Sequence, residues 1–336
     1  MTKPRVLVTH WVHPEVIEYL AQTCEVVANT QRTTWPRSGV LELALECDAL
    51  MAFMPDSIDD DFLAQCPRLK IVAASLKGFD NFDIAACTRR GIWFTRVADL
   101  LTIPTAELAI ALTLAVTRRI LEGDDHARSG TFNGWRPQLY GTGLTGRTAG
   151  LIGMGAVGRA LVERLAAFGV RVVYADPQPV PPDLARRYAL ERKTLTELLE
   201  TSDFVFPLVH LTSDTLHLID REALGRMKRG AFLINVGRGS VVDEAAVAES
   251  LAAGHLAGYA ADVFEIEDWA LASRPREIHA ALLANRAQTF FTPHIGSAVD
   301  DVRLAIAMEA ARNIVDALQG RRPAGAMNEP LGVSAT

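Results

Sequence analysis

A chain of 336 residues exceeds one typical domain, so two domains are expected rather than a single packed unit. With 49% hydrophobic and 22% charged residues and no low-complexity tract, it can build real cores and is neither a disordered nor a fibrous chain. The formal net charge of -6 excludes a general nucleic-acid binder, which needs clustered Lys and Arg to release phosphate counterions, and requires any anionic ligand to be held by local cations.

Lys3-Pro4-Arg5 runs directly into a strand-like Val6 to Val8, leaving no room for the zones of a signal peptide, so a cytoplasmic protein is expected. A helix from Pro14 follows, then apolar runs at Val26 to Ala28, Leu50 to Phe53 and Ile71 to Ala74. That alternation predicts a parallel sheet with crossover helices. Cys24, Cys47, Cys66 and Cys87 lie here at irregular gaps, with neither CxxC nor His spacing for a metal. They read as free buried thiols, and no metal site is expected.

A long helix is predicted from Thr102-Ile103-Pro104, where Thr can cap and Pro suits the first turn, to about Arg128. Its apolar stretch from Leu108 to Thr117 is too short to cross a bilayer and is flanked by Glu107 and Arg118-Arg119, which points to burial and away from a membrane. After the Gly-rich stretch Gly130 to Gly146, the alternation restarts. Its runs are Ala149 to Ile152, Val170 to Ala175, Phe204 to Leu208, Phe232 to Val236 and Tyr259 to Val263, the pattern of a doubly wound nucleotide-binding sheet. A last strand, Thr289 to Thr292, precedes a final helix, Val299 to Leu318.

Gly153-Met154-Gly155-Ala156-Val157-Gly158 sits between a strand and a helix-like Arg159 to Phe168, the context that G-x-G-x-x-G requires. The first glycine permits the turn, the second lets the backbone approach a pyrophosphate, and the third lets helix and strand pack closely. Asp176 ends the next strand, about twenty residues on, where a carboxylate accepts from ribose hydroxyls and repels a 2'-phosphate. Pro177 and Gln178 supply no cation for that phosphate, which favours NAD over NADP.

Three segments end apolar strands: Asn235-Val236-Gly237-Arg238, Asp262-Val263-Phe264-Glu265-Ile266-Glu267, and Thr292-Pro293-His294-Ile295-Gly296. Loops leaving the carboxyl ends of parallel strands are where such sheets bind ligands. There Arg238 can fix an anionic substrate, His294 can exchange a proton, and Glu267 can orient His294 and stabilise the imidazolium formed. Taken singly, each could equally be a surface or structural residue.

These segments, over nearly the whole chain, resemble the D-isomer-specific 2-hydroxyacid dehydrogenase family, whose members carry this Arg, Glu, His order. The resemblance implies an α/β fold of two doubly wound parallel-sheet domains: a Rossmann NAD-binding domain, 101–295, inserted into a flavodoxin-like substrate domain, 1–100 plus 296–336. It also implies a homodimer whose inter-domain cleft closes over the substrate, with hinges near Leu100 and Gly296. Contacts to NAD would come from the glycine loop, Asp176, Leu208, His210, Val236, Gly237, Arg238, Asp262 and His294. His210 departs from the proline usual in relatives at that position, and Pro207 falls within the preceding strand.

Within the family, MAFMPD at Met51, LKGFDNFD at Leu76, DLLTIPTAELAI at Asp99, YGTGL at Tyr140 and DVFEIEDWA at Asp262 are most similar to the phosphonate (phosphite) dehydrogenase branch. That likeness marks Lys77, Gly78, Met54, Trp135, Tyr140, Ser297 and Arg303 as substrate-binding residues. Lys77 with Arg238 would set two cations against a compact dianion, so oxidation of phosphite by NAD is expected. The same triad serves a D-2-hydroxyacid dehydrogenase, the alternative, and a corepressor-like NAD-sensing module without turnover is a third possibility.

Overall fold

The computed structural model describes residues 3–97, 99–269 and 271–332, so Ala270, the last residue of the DVFEIEDWA segment, lies outside the described residues. The chain divides into two compact units, Met1–Leu101 with Ala298–Thr336, and Thr102–Ser297.

Among its described residues the first unit alternates β1 (Arg5–Val8), α1 (Pro14–Ala21), β2 (Glu25–Ala28), α2 (Arg37–Ala44), β3 (Ala49–Ala52), α3 (Asp60–Gln65), β4 (Ile71–Ala74), α4 (Ile84–Arg89) and β5 (Trp93–Arg96). The strands form one sheet in the order β2-β1-β3-β4-β5, parallel throughout. Side chains alternate across it as the pleat demands. Val6, Val8, Met51, Ile71 and Trp93 face one core, and Leu7, Leu50, Val72 and Phe94 face the other. Both faces are therefore covered, which explains apolar runs without polar alternation.

The second unit opens with α5 (Thr102–Thr117) and α6 (Ile120–Arg128). The single helix expected to Arg128 is broken, because Arg119 adopts a left-handed conformation with φ 53° and ψ 43°. The cause is tertiary: the returning chain donates from the Thr142 amide to the Thr117 carbonyl at 2.8 Å, engaging the end of α5. The apolar stretch in α5 is buried, and Thr113 and Thr117 satisfy their hydroxyls on the carbonyls of Ala109 and Thr113, each at 2.7 Å.

There follow β6 (Thr148–Ile152), α7 (Ala156–Ala167), β7 (Arg171–Ala175), α8 (Pro182–Tyr188), β8 (Glu191–Arg192), α9 (Leu195–Thr201), β9 (Phe204–Pro207), α10 (Arg221–Arg226), β10 (Phe232–Asn235), α11 (Glu244–Ala252), β11 (Gly258–Ala261), α12 (Ala280–Ala284) and β12 (Thr289–Phe291). They build a parallel sheet in the order β12-β11-β10-β9-β6-β7-β8. Its order reverses between β6 and β9, the switch point where doubly wound sheets take ligands. Pro207 is the last residue of β9, opposite Ile152, so it ends the strand instead of interrupting it.

The final helix, α13 (Asp300–Leu318), belongs to the first unit and covers one face of its sheet through Ile306, Ala310 and Ile314. All four cysteines are free and buried, and burial pushes the Cys87 thiol up to about 12. Among the described residues no helix is long and apolar enough to cross a membrane, and no group of three or more His, Cys, Asp or Glu could hold a metal.

Candidate active site

The glycine loop joins β6 to α7. Gly153 has φ 99°, and an ideal Cβ there would lie 3.0 Å from the Leu208 carbonyl oxygen, so both the turn and the close approach require glycine. Gly155 precedes the first turn of α7 with nothing within 4 Å of an ideal Cβ, which leaves room for a phosphate against the first amides of the helix. At Gly158 an ideal Cβ would lie 2.6 Å from the Gly153 carbonyl oxygen, so helix and loop meet backbone to backbone. Ala156 and Val157 begin α7.

Asp176 accepts from the Met154 amide through Oδ2 and from the Gln178 amide through Oδ1, each at 2.8 Å. It braces the loop while keeping lone pairs for ribose hydroxyls. Sequence reasoning missed Arg192 on β8, whose guanidinium donates to the carbonyls of Asp176 (2.9 and 3.1 Å) and Pro177 (2.7 Å). Nothing local marks a residue that far along the chain as a partner of this turn. The chain past β9 starts with Leu208, whose amide donates to Ile152 at 2.8 Å, and continues through an exposed His210 whose carbonyl accepts from the Thr215 hydroxyl at 2.6 Å.

His294 follows β12 with φ 54°, its amide donating to the Asp262 carbonyl at 2.8 Å. Its Nδ1 stands 2.5 Å from Glu267 Oε2. Facing a carboxylate, Nδ1 carries the proton, which leaves Nε2 to exchange one with a substrate. Glu267 is held from behind, since its Oε1 accepts from the Phe264 amide at 2.8 Å. The two side chains are 29% and 26% exposed, reachable by a small molecule yet partly shielded.

Asp262 is buried and turned into the protein. Its carboxylate accepts from the Thr292 hydroxyl at 2.6 Å and from the amides of Ile295 and Gly296 at 2.7 and 2.8 Å, binding the His294 loop to β11. Burial raises its carboxyl above the usual range, against those hydrogen bonds and the nearby His294.

Arg238 leaves β10 in extended conformation, its carbonyl accepting from Asn235 Nδ2 at 2.9 Å and its Nη1 donating to the Gly237 carbonyl at 2.9 Å. Val236 beside it is buried. At Gly239 an ideal Cβ would fall 1.9 Å from the Phe264 carbonyl carbon, so the loops carrying Arg238 and Glu267 touch through their backbones. Asp268 fastens them further by accepting from the Ser240 amide at 2.7 Å. The structure thus brings the Arg238, Glu267 and His294 loops together at one edge of the sheet.

The first unit gathers its own expected residues on loops after β3 and β4. Met54 is half-buried, with its carbonyl accepting from Asn81 Nδ2 at 3.1 Å. Gly78 is buried, and Lys77 is half-buried. Burial draws the Lys77 ammonium below the ordinary lysine range, opposed by Asp99 and reinforced by Arg96. Arg303 on α13 has its guanidinium 5.9 Å from the Phe53 ring centre, and burial lowers its pKa as well. Trp135 and Tyr140 of the second unit lie on a segment without regular structure and are 77% and 73% exposed. Ser297 is half-buried, two residues short of the Val299 cap of α13, and that cap has no side-chain hydrogen bond.

Residues 110–296 match the NAD-binding domain of the D-isomer specific 2-hydroxyacid dehydrogenases. The chain belongs to that family. A glyoxylate reductase from Aeropyrum pernix is 38% identical to this family member over 336 positions, covering 98% of each chain. A solved structure from Thermus thermophilus superposes with a TM-score of 0.88 at 36% identity, over 96% of this chain and 100% of the other. An NADPH-dependent glyoxylate/hydroxypyruvate reductase from Sinorhizobium meliloti, solved with NADP and malonate, superposes with a TM-score of 0.83 at 29% identity over 98% of both.

As a member of the family, the chain is an NAD-dependent oxidoreductase of a small-molecule substrate, and the glycine loop and Asp176 fit that cofactor. The names of the curated relatives do not support the phosphonate dehydrogenase branch; they favour the hydroxyacid alternative. In the DVFEIEDWA segment Asp268 accepts from the Ser240 amide, and the Trp269 ring stacks 4.1 Å under the Arg274 guanidinium carbon. Sequence reasoning also passed over Glu244, Glu265 and His217, which bond to the turns after Arg238 and before Glu267 and carry no motif.

Proposed function

We propose that the protein interconverts small 2-oxo acids and D-2-hydroxy acids, with reduction of glyoxylate by NADH as the first activity to seek. The observation that carries this reading is the 2.5 Å contact from His294 Nδ1 to Glu267, on the strand ends where a doubly wound sheet takes its ligands. Near full-length similarity to glyoxylate reductases supports the substrate class. Bound NADH supplies the hydride. Arg238 pairs with the substrate carboxylate and orients it. His294 Nε2 delivers a proton to the carbonyl oxygen during reduction and removes it during oxidation, while Glu267 stabilises the imidazolium between turnovers. Lys77, Gly78, Met54, Ser297 and Arg303 make the remaining substrate contacts, and Leu208, His210, Val236, Gly237 and Asp262 flank the cofactor. The working assembly is a homodimer in which the exposed Trp135 and Tyr140 become covered, which light scattering would check.

Oxidation of phosphite is the second reading, favoured by the half-buried Lys77, which would add a second cation to Arg238 for a small dianion. One assay separates them: NADH consumption with glyoxylate and NADH formation with D-lactate, D-glycerate, glycolate and phosphite, each beside His294→Ala. Turnover of 2-oxo and 2-hydroxy acids that collapses in the variant is expected. Turnover of phosphite alone would replace this reading, and NADH binding without any turnover would leave a sensor.

A further inference from the structure

The 3-10 turn Glu265–Glu267 presents two carboxylates to two histidines, and both histidines have left-handed backbones. Glu267 faces His294; Glu265 Oε2 lies 3.0 Å from His217 Nε2. His217, with φ 50°, touches both catalytic loops at once. Its amide donates to the Ser240 carbonyl at 2.7 Å, in the turn after Arg238, while its ring reaches the turn that holds Glu267. The neighbouring chain is laid alongside, with Ile219 donating to Val241 at 3.0 Å and Asp243 donating to Ile219 at 3.1 Å.

The other face of Glu265 is bonded to α11. Glu265 Oε1 accepts from the Glu244 amide and Glu244 Oε1 accepts from the Glu265 amide, both at 2.9 Å. The turn is therefore clamped between α11 on one side and His217 on the other, and Glu267 is its last residue. We infer that His217 is a positioning residue: its ring, acting through Glu265, sets the turn so that Glu267 meets His294. This rests on the reading of Glu267 and His294 as the proton-handling pair.

The test uses His217→Asn and His217→Gln in the full-length protein. Asn suits a left-handed backbone, so the first removes the reach of the ring without adding strain. Gln can place an amide near the position of Nε2 and serves as the rescue. With glyoxylate and NADH, His217→Asn should lower kcat about tenfold and leave the NADH Kd within twofold, and His217→Gln should recover most of the loss. In a Glu267→Gln background, His217→Asn should change kcat less than twofold, because residues acting through one another are not additive. An equal loss in both backgrounds, or no loss in either, would overturn the inference.

A second readout needs no turnover. The downfield Nδ1 proton resonance of His294, identified by its absence in His294→Asn, should persist in His217→Gln and broaden or shift in His217→Asn, with both variants melting within a few degrees of the parent. An unchanged resonance in His217→Asn would also overturn it. If the parent turns over none of the substrates, the hydroxyacid reading falls while the resonance still judges the role of His217.

Discussion

The two sheets are built alike, parallel and covered on both faces, yet their strand-end loops are held differently. In the second unit Glu244, Asp262, Glu265 and Asp268 are turned inward onto backbone amides, fastening the loops after β10, β11 and β12 to one another. In the first unit Asp56 also turns inward, accepting from the Phe53 amide at 2.7 Å and the Thr9 hydroxyl at 2.5 Å, but the loop after β4 carries a half-buried cation, Lys77, and α13 places a second, Arg303, near Phe53. Proton transfer demands tenths of an ångström, and a carboxylate accepting backbone amides gives that rigidity. Holding an anion demands charge in a low-dielectric setting, and tolerates more play.

The sharpest way to break this contrast is at the proton. His294→Ala should lower kcat about a thousandfold with the NADH Kd little changed, as for loss of a general acid; stopped-flow turnover and fluorescence titration check both. Next is the weld between loops. Gly239→Ala places a Cβ against the Phe264 backbone and should cost about 3 kcal/mol by denaturant melting, with activity falling alongside. Arg238→Lys keeps the charge but loses the planar fork, and should lower kcat/KM about a hundredfold, mostly through KM. The cations of the first unit should respond more gently. Lys77→Met should raise KM about tenfold with kcat held, the size of one modest charged contact. Because burial lowers the pKa of Lys77, the wild-type KM should also rise below the ordinary lysine range as the pH climbs, and Lys77→Arg should abolish that rise.

The smallest effect concerns Glu244. Burial raises its carboxyl, so between the ordinary glutamate value and the raised one the folded state holds a proton that the unfolded state has released. The stabilising contribution is complete below the ordinary value and is lost as pH rises through the folded value. Melting of wild type minus Glu244→Gln should therefore decline from pH 4 towards pH 8; a difference that grows with pH would show the carboxylate to be charged in the fold.

What could be read in the sequence was what repeats locally. Apolar runs such as Ile71 to Ala74 and Phe232 to Val236 marked strands because both faces of each sheet are buried, and the glycine loop announced itself by its place between strand and helix. The break after Thr117 was hidden, since Arg118-Arg119 is no helix breaker and the cause is a backbone hydrogen bond from Thr142. Two-residue β8 was too short to register, so Arg192 was missed. His217 and Glu265 are 48 residues apart, and only the sheet order makes them neighbours. Their residue types suggested nothing, because a glutamate two positions from Glu267 looks like a solvated loop.

The discontinuity of the first unit also has a consequence for synthesis. Its sheet needs α13 to cover Val6, Met51, Ile71 and Trp93, but the ribosome must first make all of Thr102–Ser297. At about 5–20 residues per second, a gap of roughly 200 residues keeps that apolar face waiting for about 10–40 s. A circular permutant carrying α13 ahead of β1 would close that core before the nucleotide-binding unit leaves the exit tunnel.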